Sequence, residues 1–320
     1  MTPAAAQATD DLRLAIPAAG PRAAAPAAAE VVASLSGVRK RLGRTEALAG
    51  VDLELRAGEL VALLGPNGAG KTTAISLLCG LRSPDAGTVR IFGGDPQHPR
   101  TRSRFGVTPQ GVSYPGVLKV REVVKLVQAH YPAPAPLAEV LEGFGLDDLA
   151  NRQVGGLSGG QRRRLGVALA FAGRPSLVLL DEPTTGLDVV AQRAVWDQVR
   201  AFVARGGTVL LTTHYLAEAE ALASRVVVLN RGKVVADDTV DAVRARVGVT
   251  KVLFRAGEPL PELPGVLRTA RSGELHTLYT PDPDQLVRDL VRHDVTFQGL
   301  EIRPATLEEA FLAVTAEGER

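Results

Sequence analysis

Apolar residues in this chain come in short unbroken runs, separated by glycine-bearing turns and by stretches of helical period. LVALLG (60–65), SLVLLDEP (176–183) and GTVLLTTH (207–214) are three such runs, each bounded by turn or polar residues. Runs without polar alternation are what strands covered on both faces of a sheet require. Elsewhere Val120, Val123, Val124 and Val127 recur at helical spacing, and Leu165, Ala168, Leu169 and Ala172 repeat it, which predicts helices. Strands alternating with helices predict an α/β fold. VDLELRAGELVALLG reads as two strands joined by a tight turn at Ala57-Gly58. RVVVLNRGKVVAD reads as a hairpin turning at Asn230-Arg231-Gly232, which adds antiparallel strands to the sheet.

The texture changes near Thr250. Pro259, Pro261 and Pro264 cluster ahead of short strands, a helix at DQLVRDLVRH, and a final helix opened by Thr306 with Glu309 in capping-box spacing. The expected boundary lies near residue 248, with residues 249–320 forming a small α+β domain. Residues 1–30 are Ala/Pro-rich and interrupted by Pro3, Pro17, Pro21 and Pro26, so the expectation there is a disordered tail. It lacks the early positive region and unbroken apolar stretch of a signal peptide.

Composition narrows the picture a little further. At 320 residues, 45% hydrophobic and 22% charged, the chain suffices for one large core and a small second domain. A net charge of +2 predicts neither a nucleic-acid partner nor an acidic membrane surface. The single cysteine, Cys79, excludes an intrachain disulfide framework and reads as a core residue. No stretch approaches the roughly 18 consecutive apolar residues of a membrane span.

GPNGAGKTT (65–73) carries the strongest chemistry. It fits G-x-x-x-x-G-K-[ST] with a strand before it and a helix after it. Its glycines let successive backbone N–H groups turn inward on phosphate oxygens, and the helix N-terminus adds a positive dipole. Gly65, Pro66, Asn67, Gly68, Ala69, Gly70, Lys71, Thr72 and Thr73 are therefore expected to hold nucleotide. Lys71 reaches the outer phosphates and the Thr72 hydroxyl takes Mg²⁺. Only six of the 37 basic residues are lysine, so the compact ammonium at position 71 departs from the chain's habit of using arginine.

LVLLDEP delivers Asp181 and Glu182 to the end of an apolar strand. Successive strand residues point to opposite sides, so two roles are expected. Asp181 holds Mg²⁺ through water, and Glu182 orients or deprotonates the attacking water. Taken alone, Asp-Glu-Pro reads equally as a strand-ending turn. His214 alone reads as a core histidine, but it ends a strand expected beside that of Asp181, where open α/β sheets bind ligands. Its expected role is a hydrogen bond to the γ-phosphate. Gln110, at the exit of RFGVTP, places an amide where it can sense Mg²⁺ and the attacking water. LSGGQ (157–161) alone is a helix N-cap at Ser158, and RRR (162–164) reads as a solvated helix face.

Together these residues resemble the nucleotide-binding subunit of ATP-binding cassette (ABC) transporters over about residues 33–245. The Walker A motif is GPNGAGKT, the Q-loop glutamine Gln110, the signature LSGGQ, Walker B LVLLDE, the D-loop GLD (186–188) and the switch histidine His214, in the family's order. The resemblance implies a P-loop NTPase cassette, with a mixed sheet around a RecA-like core and a helical subdomain at about 111–173. It implies ATP and Mg²⁺ as ligands and hydrolysis served by Glu182, His214, Gln110 and Lys71, with Thr72, Gln110 and Asp181 on the metal. It also implies a head-to-tail homodimer, in which the signature of one copy, Leu157, Ser158, Gly159, Gly160 and Gln161, covers ATP on the other, with Asp188 of the D-loop as a further nucleotide-binding residue.

LDEPTTGLD, LLTTHYLAEAEALASRVVVLNRGKVVAD and PATLEEAFLAVT are similar to the ATPase subunits of drug and antibiotic exporters, whose small C-terminal domain ends in a similar acidic-aromatic helix, here Glu308, Glu309 and Phe311. The expectation is an export ATPase on the cytoplasmic face of the membrane, bound to a separate permease. Alternatives are the ATPase of a polysaccharide, lipid or import system, or a non-transport ABC ATPase. The short stretch between Gln110 and Leu157 and the single cassette weigh against the last. One departure is KRLG (40–43), which puts Leu42 where the family places an aromatic residue on adenine.

Overall fold

The computed structural model describes residues 29–108, 114–245, 248–257, 260–304, 306–309 and 311. The expected disordered tail, as far as residue 28, lies outside them, as does Gln110. Ala29 and Glu30 are described, and their carbonyls accept from the Arg56 side chain and the Ala57 N–H. Two compact units divide the chain, one ending at Thr239 and the other beginning at Val240. That division comes shortly before the change of sequence texture near 248.

In the first unit β1 (Val31–Leu42) and β2 (Thr45–Arg56) lead to β3 (Leu60–Leu64), α1 (Lys71–Leu78) and β4 (Ala86–Ile91). Next come α2 (Pro99–Arg102), β5 (Phe105–Thr108), α3 (Val120–Gln128), α4 (Leu137–Gly143) and α5 (Gly159–Phe171). The unit is completed by β6 (Leu177–Asp181), α6 (Val189–Ala204), β7 (Thr208–Thr212), α7 (Leu216–Leu222), β8 (Arg225–Asn230) and β9 (Lys233–Thr239). The main sheet has the order β5-β6-β7-β3-β8-β9, parallel except for β9. A second sheet, β2-β1-β4, is antiparallel.

Residues β3, β6, β7 and β8 are buried throughout, which explains their unbroken apolar runs. Alternate residues serve two cores. Leu63, Leu177, Leu179, Leu210 and Val227 pack with α1 and the antiparallel sheet. Leu60, Val178, Leu180, Val209 and Leu211 pack on the opposite side with residues of α3, α4, α5 and α6. Cys79 lies in the first core, where burial and the nearby charge of Asp181 push its thiol up to about 12, so it is an inert packing group. The β8–β9 turn consists of Arg231 and Gly232, both at positive φ (47° and 75°), a turn whose twist suits a tight hairpin.

The second unit begins with α8 (Val240–Ala245), then β10 (Thr250–Arg255), β11 (Arg268–Ser272), β12 (Leu275–Thr280), α9 (Pro283–Arg292) and β13 (Gln298–Pro304). Its sheet, ordered β11-β12-β10-β13, is antiparallel. Leu286 and Leu290 of α9 join Val252, Phe254 and Leu278 in its core. Further on, Thr306 N donates to Glu309 Oε2 at 2.8 Å, and Glu309 Oε1 pairs with Lys251 Nζ at 2.9 Å.

Candidate active site

The loop between β3 and α1 is shaped by glycine. Gly70 has φ +110°, and a Cβ there would lie 2.5 Å from the Ala47 carbonyl oxygen, a separation no side chain tolerates. Gly70 is also the N-cap of α1, where no side chain caps the helix. The first N–H groups of α1 are thus left for a ligand, at the positive end of the helix dipole. They border a concavity of about 390 Å³ whose lining includes Leu42, Asn67, Lys71, Thr72, Thr73 and Glu182.

Lys71 is 7% exposed, and its Nζ donates to the carbonyls of Gly65 (2.6 Å) and Pro66 (3.1 Å). Burial lowers its pKa, against the opposing pull of Glu182 and Asp181. A buried cation hydrogen-bonded to neutral carbonyls, beside open backbone donors, has the chemistry to meet an entering polyanion.

The two carboxylates separate as their strand ends. Asp181 is 2% exposed, in register with Thr212 on the neighbouring β7, and its Oδ1 accepts from Thr212 Oγ1 at 2.5 Å. Glu182 leaves the strand with φ +50°, a left-handed conformation that non-glycine residues seldom adopt and that concentrates at functional sites. Its N–H donates to the Thr212 carbonyl at 3.0 Å. Its side chain turns to line the concavity, with Oε1 3.2 Å from His214 Nδ1 and Oε2 accepting from Thr185 Oγ1 at 3.3 Å. Because β7 pairs with β6, His214 emerges two residues past Thr212, beside Glu182.

The signature segment lies apart from that concavity. Ser158 Oγ accepts from Gln161 N (3.2 Å) and Gln161 Oε1 accepts from Ser158 N (3.0 Å), a capping box that starts α5. Leu157 is buried in the second core, while Ser158 and Gly159 are exposed. None of Leu157, Ser158, Gly159, Gly160 and Gln161 lines the P-loop concavity of its own chain. Asp188 caps α6, its Oδ1 accepting from Ala191 N at 2.8 Å. Gly160 packs close to the same loop, where a Cβ would sit 3.3 Å from Gly186 O.

One expectation is overturned. Arg162 is exposed as a solvated helix face requires, but Arg163 and Arg164 are half-buried. Arg163 Nη2 donates to the carbonyl oxygens of both Asp181 and Glu182, so it braces the strand end that carries the carboxylates. Burial lowers its pKa, opposed by Asp181, Glu182 and Glu218. The signal was present in the helical phase, since Arg163 precedes buried Val167 and Ala170 by one and two turns.

Among the described residues no group of three or more His, Cys, Asp or Glu gathers to hold a metal ion. No helix among them is long and apolar enough to cross a membrane. A strand, a glycine loop with a buried lysine and a helix, faced by a carboxylate from the end of β6, which β7 separates from β3 in the sheet, define a P-loop nucleotide hydrolase.

The comparisons narrow that class. The ABC transporter family profile matches residues 48–185. Among curated proteins the chain is 36% identical to the Nod factor export ATP-binding protein I of Ralstonia nicotianae, over 90% of this chain and 95% of that one. It is 38% identical to the daunorubicin/doxorubicin resistance ATP-binding protein DrrA of Streptomyces peucetius, over 88% and 91%. Among solved structures it resembles the ATP-binding subunit of an ABC transporter (TM-score 0.63, 29% identity, covering 68% of this chain and 93% of that one). A dimeric cassette with ADP and Pi in a post-hydrolysis state aligns with TM-score 0.60 and 27% identity, over 65% and 98%. The chain belongs to the ABC transporter family, and it is an ATP-binding, ATP-hydrolysing subunit of it.

Proposed function

We propose that this protein is the ATPase of an exporter: two copies bind ATP between them on the cytoplasmic face of a membrane and drive efflux of a drug, antibiotic or other hydrophobic compound through a separate permease. The observation that carries the catalytic half is the placement of Glu182. Its carboxylate lines the same concavity as Lys71 and Thr72 and is paired with His214. The transport half is supported by relatives named for Nod factor export and for daunorubicin resistance, matched over nearly their whole length.

In this reading the loop from Gly65 to Thr73 holds the phosphates through backbone N–H groups and Lys71. Glu182 accepts the proton of the attacking water, and His214 holds Glu182 in place and reaches the γ-phosphate. Thr72, Asp181 and Gln110 supply hydroxyl, carboxylate and amide oxygens, a hard-donor set suited to Mg²⁺. Bound Mg²⁺ would neutralise charge on the phosphate oxygens. The exposed Ser158 and Gly159, uninvolved in their own chain's concavity, are free to cover ATP on a second copy, with Leu157, Gly160, Gln161 and Asp188 completing that face.

Purification from the native membrane, followed by identification of the integral membrane protein that accompanies the chain, tests the transport half. Recovery of a permease with ATP-dependent efflux in vesicles is the expected result. Recovery with ribosomes or DNA, or alone, overturns it.

A further inference from the structure

Glu218, on α7, is the most buried acid among the described residues, with 0% exposure. Its Oε1 accepts from Thr184 Oγ1 and from Trp196 Nε1, each at 2.9 Å. The Thr213 hydroxyl also bears on the carboxylate, and His214 lies within its electrostatic reach. Among the described residues none makes a hydrogen bond of good geometry to the buried Oε2.

The donors come from three separate segments. Thr184 lies in the turn that begins at the left-handed Glu182. Trp196 is on α6, the helix capped by Asp188. Thr213 precedes His214, and its Oγ1 accepts from Tyr215 N at 2.9 Å. A buried carboxylate with one oxygen short of a well-formed hydrogen bond is a poor way to gain stability, since a well-packed apolar side chain of similar volume usually does as well or better. What this carboxylate does achieve is to fasten together the segments carrying Glu182, Asp188 and His214.

We propose that Glu218 is a positioning residue for hydrolysis: through Thr184 and Trp196 it fixes the turn of Glu182 and the helix begun by Asp188 to the segment bearing His214. The proposal rests on the catalytic reading of Glu182 and His214 given above. Without this acceptor the Thr184 and Trp196 donors lose their common anchor, and Glu182 is no longer held at His214. Misplacement of a catalytic group by about 1 Å costs on the order of a hundredfold in rate. The P-loop is untouched by the change, so nucleotide binding is retained.

The test uses the full chain with Mg-ATP, reading kcat and KM, binding of a fluorescent ATP analogue, and thermal stability. Glu218→Met lowers kcat by about tenfold or more while nucleotide affinity stays within about twofold. Glu218→Gln keeps an acceptor for Thr184 and Trp196 and restores kcat to within about threefold of wild type. Trp196→Phe gives an intermediate loss that adds nothing in the Glu218→Met background, as expected of partners in one contact. A Glu218→Met enzyme with wild-type kcat overturns the proposal. So does a parallel fall of kcat, binding and stability, or a Glu218→Gln variant as slow as Glu218→Met. Should Glu218→Met not fold, Trp196→Phe and Thr184→Val decide by the same kcat-against-binding criterion. Glu182→Gln is measured alongside: wild-type turnover in that variant defeats the catalytic reading itself, whereas its inactivity beside an active Glu218→Met defeats only the role of Glu218.

Discussion

His214 Nδ1 lies 3.2 Å from Glu182 Oε1, joining the ends of two adjacent parallel strands beside the P-loop concavity that Glu182 lines. In the function proposed above Glu182 is the base and His214 the residue that orients it. Glu182→Gln keeps the side chain's shape and removes its basicity, so kcat is expected to fall by about a hundredfold or more with ATP binding intact. Steady-state turnover beside equilibrium nucleotide binding checks this; wild-type turnover would remove Glu182 from the role.

Gly70 tests the cradle. Gly70→Ala places a Cβ against the Ala47 carbonyl in a backbone conformation that alanine resists, so a loss of about 1–3 kcal/mol of stability is expected. Nucleotide affinity is expected to drop with it, because the N–H groups around Lys71 shift. Thermal unfolding with and without Mg-ATP measures both, and an Ala variant with unchanged affinity contradicts the cradle.

The exposed Ser158 and Gly159 predict stoichiometry. Dilution of the protein is expected to reduce turnover per subunit while each copy still binds ATP on its own P-loop. Ser158→Arg, whose direct cost is a helix cap worth about 1 kcal/mol, is expected to abolish turnover and spare nucleotide binding. Activity per subunit that holds constant down to the monomer would show that one copy is sufficient.

Leu42 borders the concavity with 37% exposure and offers apolar contact without a stacking face. Leu42→Tyr is expected to improve ATP use by about 0.5–1.5 kcal/mol, up to roughly tenfold in KM, and to widen the preference over GTP. Comparison of ATP and GTP turnover in the two proteins decides it. Tighter ATP use by the wild type would refute the assignment.

Burial raises the pKa of Glu218, outweighing the lowering by Thr213, Trp196, Thr184 and His214. The folded protein then holds the Glu218 proton more tightly than the unfolded chain does. Its contribution to stability is therefore present at acid pH and declines as pH rises from the ordinary carboxylate range through the raised folded value. Glu218→Gln is expected to flatten this part of the stability profile and to be at least as stable as wild type at neutral pH. Chemical denaturation across pH 4 to 8 reads the difference; parallel profiles for the two proteins would count against it.

Much of the site was legible because its physics is local. GPNGAGKTT declares itself through backbone requirements that neighbouring residues meet, and the buried runs of β3, β6 and β7 declare a sheet covered on both faces. Asp181, Glu182 and His214 could be picked out because polar residues directly following such runs must emerge at one edge of that sheet. The helix N-cap at Ser158 was likewise legible within LSGGQ, and the structure completes it as a capping box with Gln161.

Tertiary structure decided what depends on segments far apart in the chain. RRR reads as a charged surface until α5 packs beside β6 and Arg163 meets the carbonyls of Asp181 and Glu182. Glu218 is one of two acids in the short helix α7, and no local rule marks it out. Its significance arises where Thr184 and Trp196 converge on one oxygen from 34 and 22 residues away. The sequence by itself determined the nucleotide chemistry, because a phosphate cradle is built from contiguous backbone. Only the folded arrangement determined how the Glu182 carboxylate is held, because burial and convergence are properties of packing.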